Sequence, residues 1–219
     1  MQISEVYHGD CTEYMRGIPD KYFDLCIADP PYGINAAKMT MGKGKNKQWT
    51  KKGWDSHVPD GEVFREMLRV SKNAIIWGGN YFNLPQTRAW IVWDKGMDGG
   101  ASFADGELAW TTFDRVLRIA KVRYRGFLGA DNCRIHPTQK PVALYAWLLD
   151  NYAIGGAKIF DPFLGSGSSR IAAYKKGFDF YGCELNDDYY KAQEERFQRE
   201  CHGITTTKDG KTLQQMSLF

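Results

Sequence analysis

The segment at residues 29–32 reads Asp-Pro-Pro-Tyr, follows the apolar run 22–28, and combines residue types that could do chemistry. Proline has no backbone N–H, so two consecutive prolines leave a loop that offers carbonyl acceptors beside a carboxylate and an aromatic ring. A planar base with an exocyclic amino group fits such a loop. Asp29 and the Pro30 carbonyl can accept its two amino hydrogens while Tyr32 stacks on its ring. A simple turn after a strand is the alternative reading of these four residues.

A second segment, residues 160–169, reads Phe-Asp-Pro-Phe-Leu-Gly-Ser-Gly-Ser-Ser and lies between a predicted strand and a predicted helix. Gly165 and Gly167 allow a tight turn and a close approach to a ligand at a helix N-terminus. The segment is not a Walker loop, because no Gly-Lys-Ser/Thr follows, and Arg170 stands where a dinucleotide fingerprint has its third glycine. The remaining interpretation is a nucleoside-binding turn with Asp161 at its entrance.

About twenty residues beyond that turn, Glu184 follows the predicted strand 178–183. A carboxylate at the end of the next strand is in the position that binds ribose hydroxyls in nucleotide-binding sheets. A surface glutamate is the alternative.

A third segment, residues 136–141, reads His-Pro-Thr-Gln-Lys-Pro directly before a predicted helix. Its two prolines stiffen a loop that presents the Thr138 hydroxyl and the Lys140 ammonium. The ammonium could hold a carboxylate. His136 is interpreted as a capped loop histidine, and no proton transfer is assigned to it.

The elements that must position these segments alternate between strand and helix. Apolar runs predict strands at residues 3–7, 22–28, 74–77, 89–93, 107–113, 117–124, 157–160 and 178–183, and helices at 11–17, 61–70, 141–152, 168–176 and 187–200. This order predicts a single α/β domain over residues 1–200, with a parallel sheet and helices on both faces. The polar residues from 201 onward are expected to form a loose tail.

Composition excludes several classes of protein. The chain has 219 residues and is 43% apolar, with 29 basic and 26 acidic side chains, which fits one globular domain. The five cysteines form no C-x-x-C pair, so neither a disulfide framework nor a zinc site is expected. No apolar run approaches the ~20 residues of a membrane span, and the N-terminus lacks a signal-peptide pattern. We therefore expect a soluble cytoplasmic protein.

Two segments carry basic side chains without acidic ones, although the chain as a whole is nearly balanced in charge. Residues 38–54 contain six lysines and no acid, and residues 115–125 contain five positive charges and no acid. A solvated loop and a solvated strand face are the plain interpretation, unless a nucleic-acid chemistry is found elsewhere in the chain.

Taken in order, the three motifs resemble the amino-methyltransferases of DNA, in the circularly permuted arrangement called the β class. The resemblance covers residues 1 to about 200. It implies a Rossmann-like S-adenosylmethionine-dependent methyltransferase fold, with a seven-stranded, mostly parallel sheet and one antiparallel strand. The permutation also places strand 3–7 beside strand 178–183, so the two ends of the chain are expected to be neighbours.

The resemblance also implies roles for individual residues. Glu184 would hold the ribose of S-adenosylmethionine, Asp10 and Cys11 its adenine, and Thr138 and Lys140 its methionine end. The turn residues that would contact this cofactor are Asp161, Phe163, Gly165, Ser166, Gly167 and Ser168, together with Asp29 from the first motif. The residues that would take the target base are Asp29, Pro30, Pro31 and Tyr32.

The activity implied by the resemblance is transfer of a methyl group to N6 of an adenine flipped out of DNA, with S-adenosylhomocysteine as product and no metal. Because this activity acts on DNA, the two basic segments are candidate contacts with the DNA phosphates. The residues predicted to contact DNA are Lys43, Lys45, Lys47, Lys51, Lys52, Arg123 and Arg125.

Several alternatives remain. Cytosine N4 methylation uses the same geometry, but the resembling cytosine enzymes usually carry Ser in place of Asp29. RNA or protein-glutamine methyltransferases usually begin the acceptor loop with Asn, and a non-catalytic DNA-binding relative is a further possibility. A target-recognition insert would lie within residues 96–135 and would be short or absent.

The last five residues, Gln-Met-Ser-Leu-Phe, resemble the Gln-Leu-Ser-Leu-Phe peptide that docks bacterial proteins on the replication sliding clamp. A frayed terminus is the alternative. The residues of this candidate clamp contact are Gln215, Met216, Ser217, Leu218 and Phe219. No membrane partner is expected, and the protein is expected to be a monomer or a homodimer.

Overall fold

One large sheet organises the protein in the computed structural model, which describes residues 2–34, 55–96, 104–124, 134–206, 209 and 211–214. Its strands are β1 (Ser4–His8), β2 (Phe23–Ala28), β3 (Ser71–Trp77), β4 (Ile91–Asp94), β5 (Gly106–Thr111), β6 (Arg118–Lys121), β7 (Lys158–Asp161) and β8 (Asp179–Glu184). The α-helices are α1 (Cys11–Arg16), α2 (Gly61–Val70), α3 (Val142–Tyr152), α4 (Ser168–Lys175) and α5 (Asp187–His202). A 3₁₀ turn spans Gly79–Tyr81.

Within the described residues the sheet has eight strands in the order β1-β8-β7-β2-β3-β5-β4-β6. Strand β5 runs antiparallel to both of its neighbours, and the other strand pairs are parallel. The expected mostly parallel α/β fold with one reversed strand is confirmed. The expected count of seven was wrong, because β6 adds an edge strand that pairs with β4 and buries Ala120 completely.

The neighbouring positions of β1 and β8 confirm the permuted arrangement. The two strands pair in parallel, with Ser4 opposite Phe180. The Gln2 side-chain amide donates to the Tyr174 carbonyl at 3.1 Å, and the Tyr174 ring meets the His202 ring at the end of α5 with centroids 5.1 Å apart. The first described residue and the end of α5 therefore both contact Tyr174.

Strand β2 shows why its sequence is an unbroken apolar run. Leu25 and Ile27 pack into the hydrophobic cluster that contains Leu148 of α3, while Cys26 packs on the opposite face with Met67 of α2. Both faces of this central strand are covered by helices, so alternation between apolar and polar residues is not needed.

The residues after α5 correct one expectation. Gly203 ends the helix with φ 67°, and β9 (Ile204–Thr206) then pairs antiparallel with β10 (Thr212–Gln214). A loose tail was therefore the wrong expectation for these six positions. The β-branched threonines of this segment favour extended backbone.

No helix among the described parts of the chain has the length and apolar character needed to cross a membrane.

Candidate active site

A cleft of ≈ 730 Å³ opens at the edge of the sheet where the parallel strands end. It is lined by residues 29–32 after β2, residues 136–140 before α3, residues 162–166 after β7, and Glu184 at the end of β8. The three motifs thus meet in one cavity, as expected for ligand sites of open α/β sheets. Its volume falls within the range of small-molecule sites.

The acceptor loop holds Asp29 and Tyr32 in contact with each other. The Tyr32 hydroxyl donates to Oδ1 of Asp29 at 2.8 Å, and all four residues of the motif line the cleft. Gly78 lies directly behind the Tyr32 ring with φ 67°, and a Cβ at this position would stand 2.3 Å from Tyr32 Cε1. The Tyr32 ring stacks on the Tyr81 ring, with centroids 5.0 Å apart and 14° between the planes. The glycine is therefore needed for the observed position of Tyr32.

Asp29 belongs to a cluster of four charged side chains. Lys140 Nζ lies 2.6 Å from Oδ1 of Asp29 and 3.0 Å from Oε2 of Glu107. Lys95 Nζ lies 2.8 Å from Oε1 of Glu107. Two carboxylates and two ammonium groups thus alternate in a largely buried chain, which is the arrangement that makes buried charges tolerable.

The protonation behaviour of this cluster follows from burial and charge. Burial raises the pKa of Asp29, with the Lys140 charge opposing it and the Glu107 charge adding to it. Burial would also raise the pKa of Glu107, but the charges of Lys140 and Lys95 outweigh it and bring this pKa to about 2. Burial lowers the pKa of Lys140, yet its two carboxylate partners leave that pKa above its ordinary value.

Lys140 lines the cleft, and its predicted role at the methionine end of the cofactor stays a prediction. Its side chain is only 4% exposed, and its ammonium group is held by Asp29 and Glu107. The charge of this lysine therefore also supports the acceptor loop.

The glycine turn is built by three of the residues that were predicted to contact the cofactor. Asp161 is 1% exposed, and its carboxylate accepts hydrogen bonds from the Phe163 amide at 2.9 Å and the Ser169 hydroxyl at 2.5 Å. Burial raises the pKa of Asp161 to about 7. Gly167 begins α4 with φ 74°, and the Ser168 hydroxyl accepts from Arg196 Nη1 at 2.9 Å.

Phe163, Gly165 and Ser166 of the same turn line the cleft, whereas Asp161, Gly167 and Ser168 do not. Direct cofactor contact by these last three residues stays a prediction. Their polar groups and backbone are used to shape the turn.

Glu184 joins β8 to this turn. Its Oε2 accepts from the Gly165 amide at 2.8 Å, and its Oε1 accepts from the Asn186 amide at 2.8 Å. Burial raises the pKa of Glu184, and the two amides oppose that effect. A carboxylate has about four acceptor positions, so both oxygens keep capacity for a ligand hydroxyl.

Asp10 and Cys11 line the cleft at the start of α1. Asp10 caps this helix, because its Oδ1 accepts from the Thr12 amide at 2.8 Å and the Glu13 amide at 3.0 Å. Burial raises the pKa of Cys11 to about 12, so the thiol is neutral and provides a small, weakly polar wall.

His136 orders the loop of the third motif through its contacts with Thr138. The Thr138 amide and hydroxyl lie 3.3 and 3.1 Å from Nδ1 of His136. Burial lowers the pKa of His136 to about 3, so the ring is neutral at physiological pH. A loop-ordering histidine without a proton-transfer role fits this geometry.

Most of the basic residues predicted to contact DNA lie outside the described residues, and so does the candidate clamp peptide. Those outside are Lys43, Lys45, Lys47, Lys51, Lys52, Arg125, Gln215, Met216, Ser217, Leu218 and Phe219. Arg123 is described and is exposed shortly after β6.

Sequence reasoning missed several residues of the cleft, among them Lys95, Tyr81 and Glu107. Lys95 and Tyr81 follow β4 and β3, so the rule that ligands collect at strand ends could have indicated them. Glu107 lies at the start of β5, and it reaches the cleft only because that strand is reversed. No local motif marks it.

The fold and the cleft together define a Rossmann-like enzyme of the group-transfer class. The chain belongs to the DNA methylase family, whose family model matches residues 76–195, and it is a DNA methyltransferase of the N6/N4 type. It is 26% identical over 220 residues to YubD of Escherichia coli strain K12, which is named as a methylase; the match covers 89% of this chain and 90% of that protein.

Two solved structures share the fold. TTHA0409 of Thermus thermophilus, described as a DNA modification methylase and crystallised with S-adenosyl-L-methionine, is 17% identical with a TM-score of 0.54 over 89% of this chain and 95% of that one. The cytosine-N4-specific PvuII DNA methyltransferase is 13% identical with a TM-score of 0.55, over 88% of this chain and 86% of that one.

Proposed function

We propose that this DNA methyltransferase transfers the methyl group of S-adenosylmethionine to the exocyclic N6 of adenine in DNA. The observation that carries the proposal is the position of Asp29, which shares one cleft with the glycine turn and with Glu184. An acceptor for a substrate amino group thus lies beside the residues suited to a nucleoside cofactor.

The residues present fit S-adenosylmethionine. Gly165 stands at the cleft with φ 53°, and Glu184 is anchored to it with acceptor capacity remaining for ribose hydroxyls. Asp10 and Cys11 would flank the adenine, and Thr138 would lie toward the methionine end. When bound, this cofactor supplies an electrophilic methyl group on a sulfonium centre.

Asp29 and the Pro30 carbonyl activate a weak nucleophile. The lone pair of an adenine amino nitrogen is shared with the ring, so the nitrogen attacks poorly. Accepting both amino hydrogens favours a tetrahedral nitrogen and stabilises the positive charge that develops during attack. Burial raises the pKa of Asp29, which makes its carboxylate a better acceptor for the proton that the methylated nitrogen releases.

The contacts of Asp29 favour one of its oxygens for the substrate. Among the described residues, Lys140 and Tyr32 both contact Oδ1. Oδ2 is therefore the oxygen left for the amino group of the base.

The aromatic face of Tyr32 provides the stacking surface. Base–aromatic stacking contributes about 1–3 kcal/mol per base, which offsets part of the few kcal/mol needed to extrude a base from duplex DNA. Tyr81 already stacks on one face of Tyr32, so the base would use the other face of Tyr32 or displace the Tyr81 ring, which is 47% exposed.

Asp29 favours adenine over cytosine as the target. In the resembling family, enzymes that methylate cytosine N4 usually carry Ser at this position of the acceptor motif, and this chain carries Asp. Phosphate contacts by Lys43, Lys45, Lys47, Lys51, Lys52, Arg123 and Arg125 belong to the same proposal.

Labelled methyl transfer to DNA, followed by digestion to nucleosides and mass spectrometry, tests the proposal. Duplex DNA, single-stranded DNA and RNA of mixed sequence are compared. Label in N6-methyldeoxyadenosine supports it. Label only in N4-methyldeoxycytidine, only in RNA, or in no nucleic acid overturns it.

A further inference from the structure

Glu107 occupies an unusual place in the sheet. It lies at the start of β5, the one reversed strand among the described strands of the large sheet, so it reaches the edge where the parallel strands end. Its two carboxylate oxygens contact two different lysines, Lys95 at 2.8 Å and Lys140 at 3.0 Å.

Lys140 is therefore held from two sides. Its Nζ lies between the carboxylates of Asp29 and Glu107 and 5.4 Å from the centre of the Trp77 ring. Because an unpaired buried charge is costly, the ammonium group would shift fully onto the Asp29 carboxylate if Glu107 were removed, and it would no longer be confined to Oδ1.

We infer that Glu107 is a positioning residue for methyl transfer, holding Lys140 against Oδ1 of Asp29 so that Oδ2 is presented to the substrate amino group. The inference rests on the proposed function for the identity of that amino group. Glu107 acts through Lys140, and it is not a catalytic residue.

The effect of Glu107 and Lys140 on the pKa of Asp29 distinguishes a positioning role of Glu107 from a role in packing alone. The titratable groups that face Asp29 are Lys140, Glu107, Tyr32, Tyr145 and Asp161. Lys140 is the one positive charge in this set. Removing it raises the pKa of Asp29, whereas removing the negative charge of Glu107 lowers that pKa.

The two substitutions Glu107→Gln and Lys140→Met therefore move the ionisation of Asp29 in opposite directions. Glu62→Gln is the matched control, because Glu62 of α2 forms an exposed ion pair with Arg16 of α1 and does not line the cleft. Glu107→Asp keeps the charge and shortens the side chain.

The first measurement does not depend on activity. Carbon-13 labelling of aspartate carboxyl groups in the full-length protein, with the signal assigned by Asp29→Asn, follows the Asp29 titration by NMR. We expect its midpoint at lower pH in Glu107→Gln, at higher pH in Lys140→Met, near the wild-type value in Glu107→Asp, and unchanged in Glu62→Gln. Equal midpoints in all variants, or shifts of the same sign in the first two, would overturn the inference.

The second measurement follows methyl transfer. A misplacement of about 1 Å costs on the order of a hundredfold in rate, so Glu107→Gln should lower kcat by about tenfold to a hundredfold. The Kd for S-adenosylmethionine, measured by calorimetry, should stay within about threefold, a change of less than 1 kcal/mol. The acidic limb of the kcat profile should shift with the NMR midpoint. A wild-type kcat per folded molecule in Glu107→Gln also overturns the inference, whereas failure of the wild-type protein to methylate adenine overturns only the proposed function.

Discussion

Lys140 Nζ lies 2.6 Å from Oδ1 of Asp29, and this contact joins the third motif of the chain to the first. The pair fixes one oxygen of the carboxylate and neutralises part of its charge. Because Tyr32 donates to the same oxygen, the orientation of the acceptor group is set before a substrate arrives. The cleft is therefore preorganised around Asp29.

Replacing Asp29 should abolish methyl transfer and leave cofactor binding nearly intact. Asp29→Ala removes the acceptor that polarises the amino group, and losing such an electrostatic group costs about 10²–10³ in kcat. Single-turnover transfer of labelled methyl measures the rate, and calorimetry measures the Kd for S-adenosylmethionine. Asp114→Ala is the control, since Asp114 is exposed in a surface ion pair with Arg88. Full activity in Asp29→Ala would remove the mechanism.

Gly78→Ala should lower kcat as well as stability. The new Cβ would displace the Tyr32 ring, and the backbone has φ 67°, a conformation that costs a residue with a side chain about 1–3 kcal/mol. Gly156→Ala is a matched control, because Gly156 has φ 77° and nothing lies within 4 Å of its added Cβ. Thermal unfolding and kcat are measured for both variants. We expect lower stability in both and slower catalysis only in Gly78→Ala, and equal kcat values would argue against a role for the Tyr32 position.

Glu184→Gln should weaken cofactor binding while leaving kcat at saturating S-adenosylmethionine close to the wild-type value. A glutamine has a single acceptor oxygen, so it cannot bind the amides of Gly165 and Asn186 and also accept from a ribose hydroxyl as Glu184 can. One lost hydrogen bond to a charged group is worth about 1.5–3 kcal/mol, which corresponds to roughly a tenfold to hundredfold rise in Kd. Calorimetry and initial rates separate the two effects. A fall in kcat with an unchanged Kd would be the opposite of this expectation.

Asp161 should make the free energy of unfolding depend on pH. The dependence lies between the pKa of this carboxyl group in the unfolded state and its pKa in the folded state. Burial raises its pKa from 3.8 to about 7, so the folded state holds one more proton than the unfolded state between these values. The contribution of this group to the free energy of unfolding is therefore lost as the pH rises from about 4 to about 7.

Asp161→Asn tests this dependence, because the amide can still accept from Phe163 and donate to the Ser169 hydroxyl. The free energy of unfolding is measured by denaturant titration at pH 5 and pH 8. The variant should gain stability relative to the wild type at the higher pH. Parallel curves for the two proteins would mean that Asp161 does not titrate in this range.

The sequence predicted the elements whose signals are local. Helix α2 was placed at its observed bounds, because Asp60 caps it and its apolar residues recur at helical spacing. The motifs of the site were also found, since each is a continuous run of residues.

The order of the strands in the sheet was harder to predict from the sequence. Residues 107–113 and 117–124 were predicted as consecutive strands, yet β4 lies between β5 and β6 in the sheet. Such pairing depends on contacts between distant segments, which no local pattern records.

The same limit applies to the contacts within the site. Lys140 was found by its motif, but its partner Glu107 comes from a reversed strand, so the motif alone could not indicate which carboxylate the lysine binds. Asp161 was assigned to the cofactor because its position in the turn is recognisable. Its actual hydrogen bonds, to Phe163 and Ser169, depend on how the turn closes.

A crystal structure of the protein with S-adenosylmethionine bound tests the central claim most directly. The account predicts that the cofactor lies between the glycine turn and Glu184, with its methyl group directed toward the carboxylate of Asp29. A cofactor bound elsewhere, or bound there with its methyl group directed away from Asp29, would contradict the account.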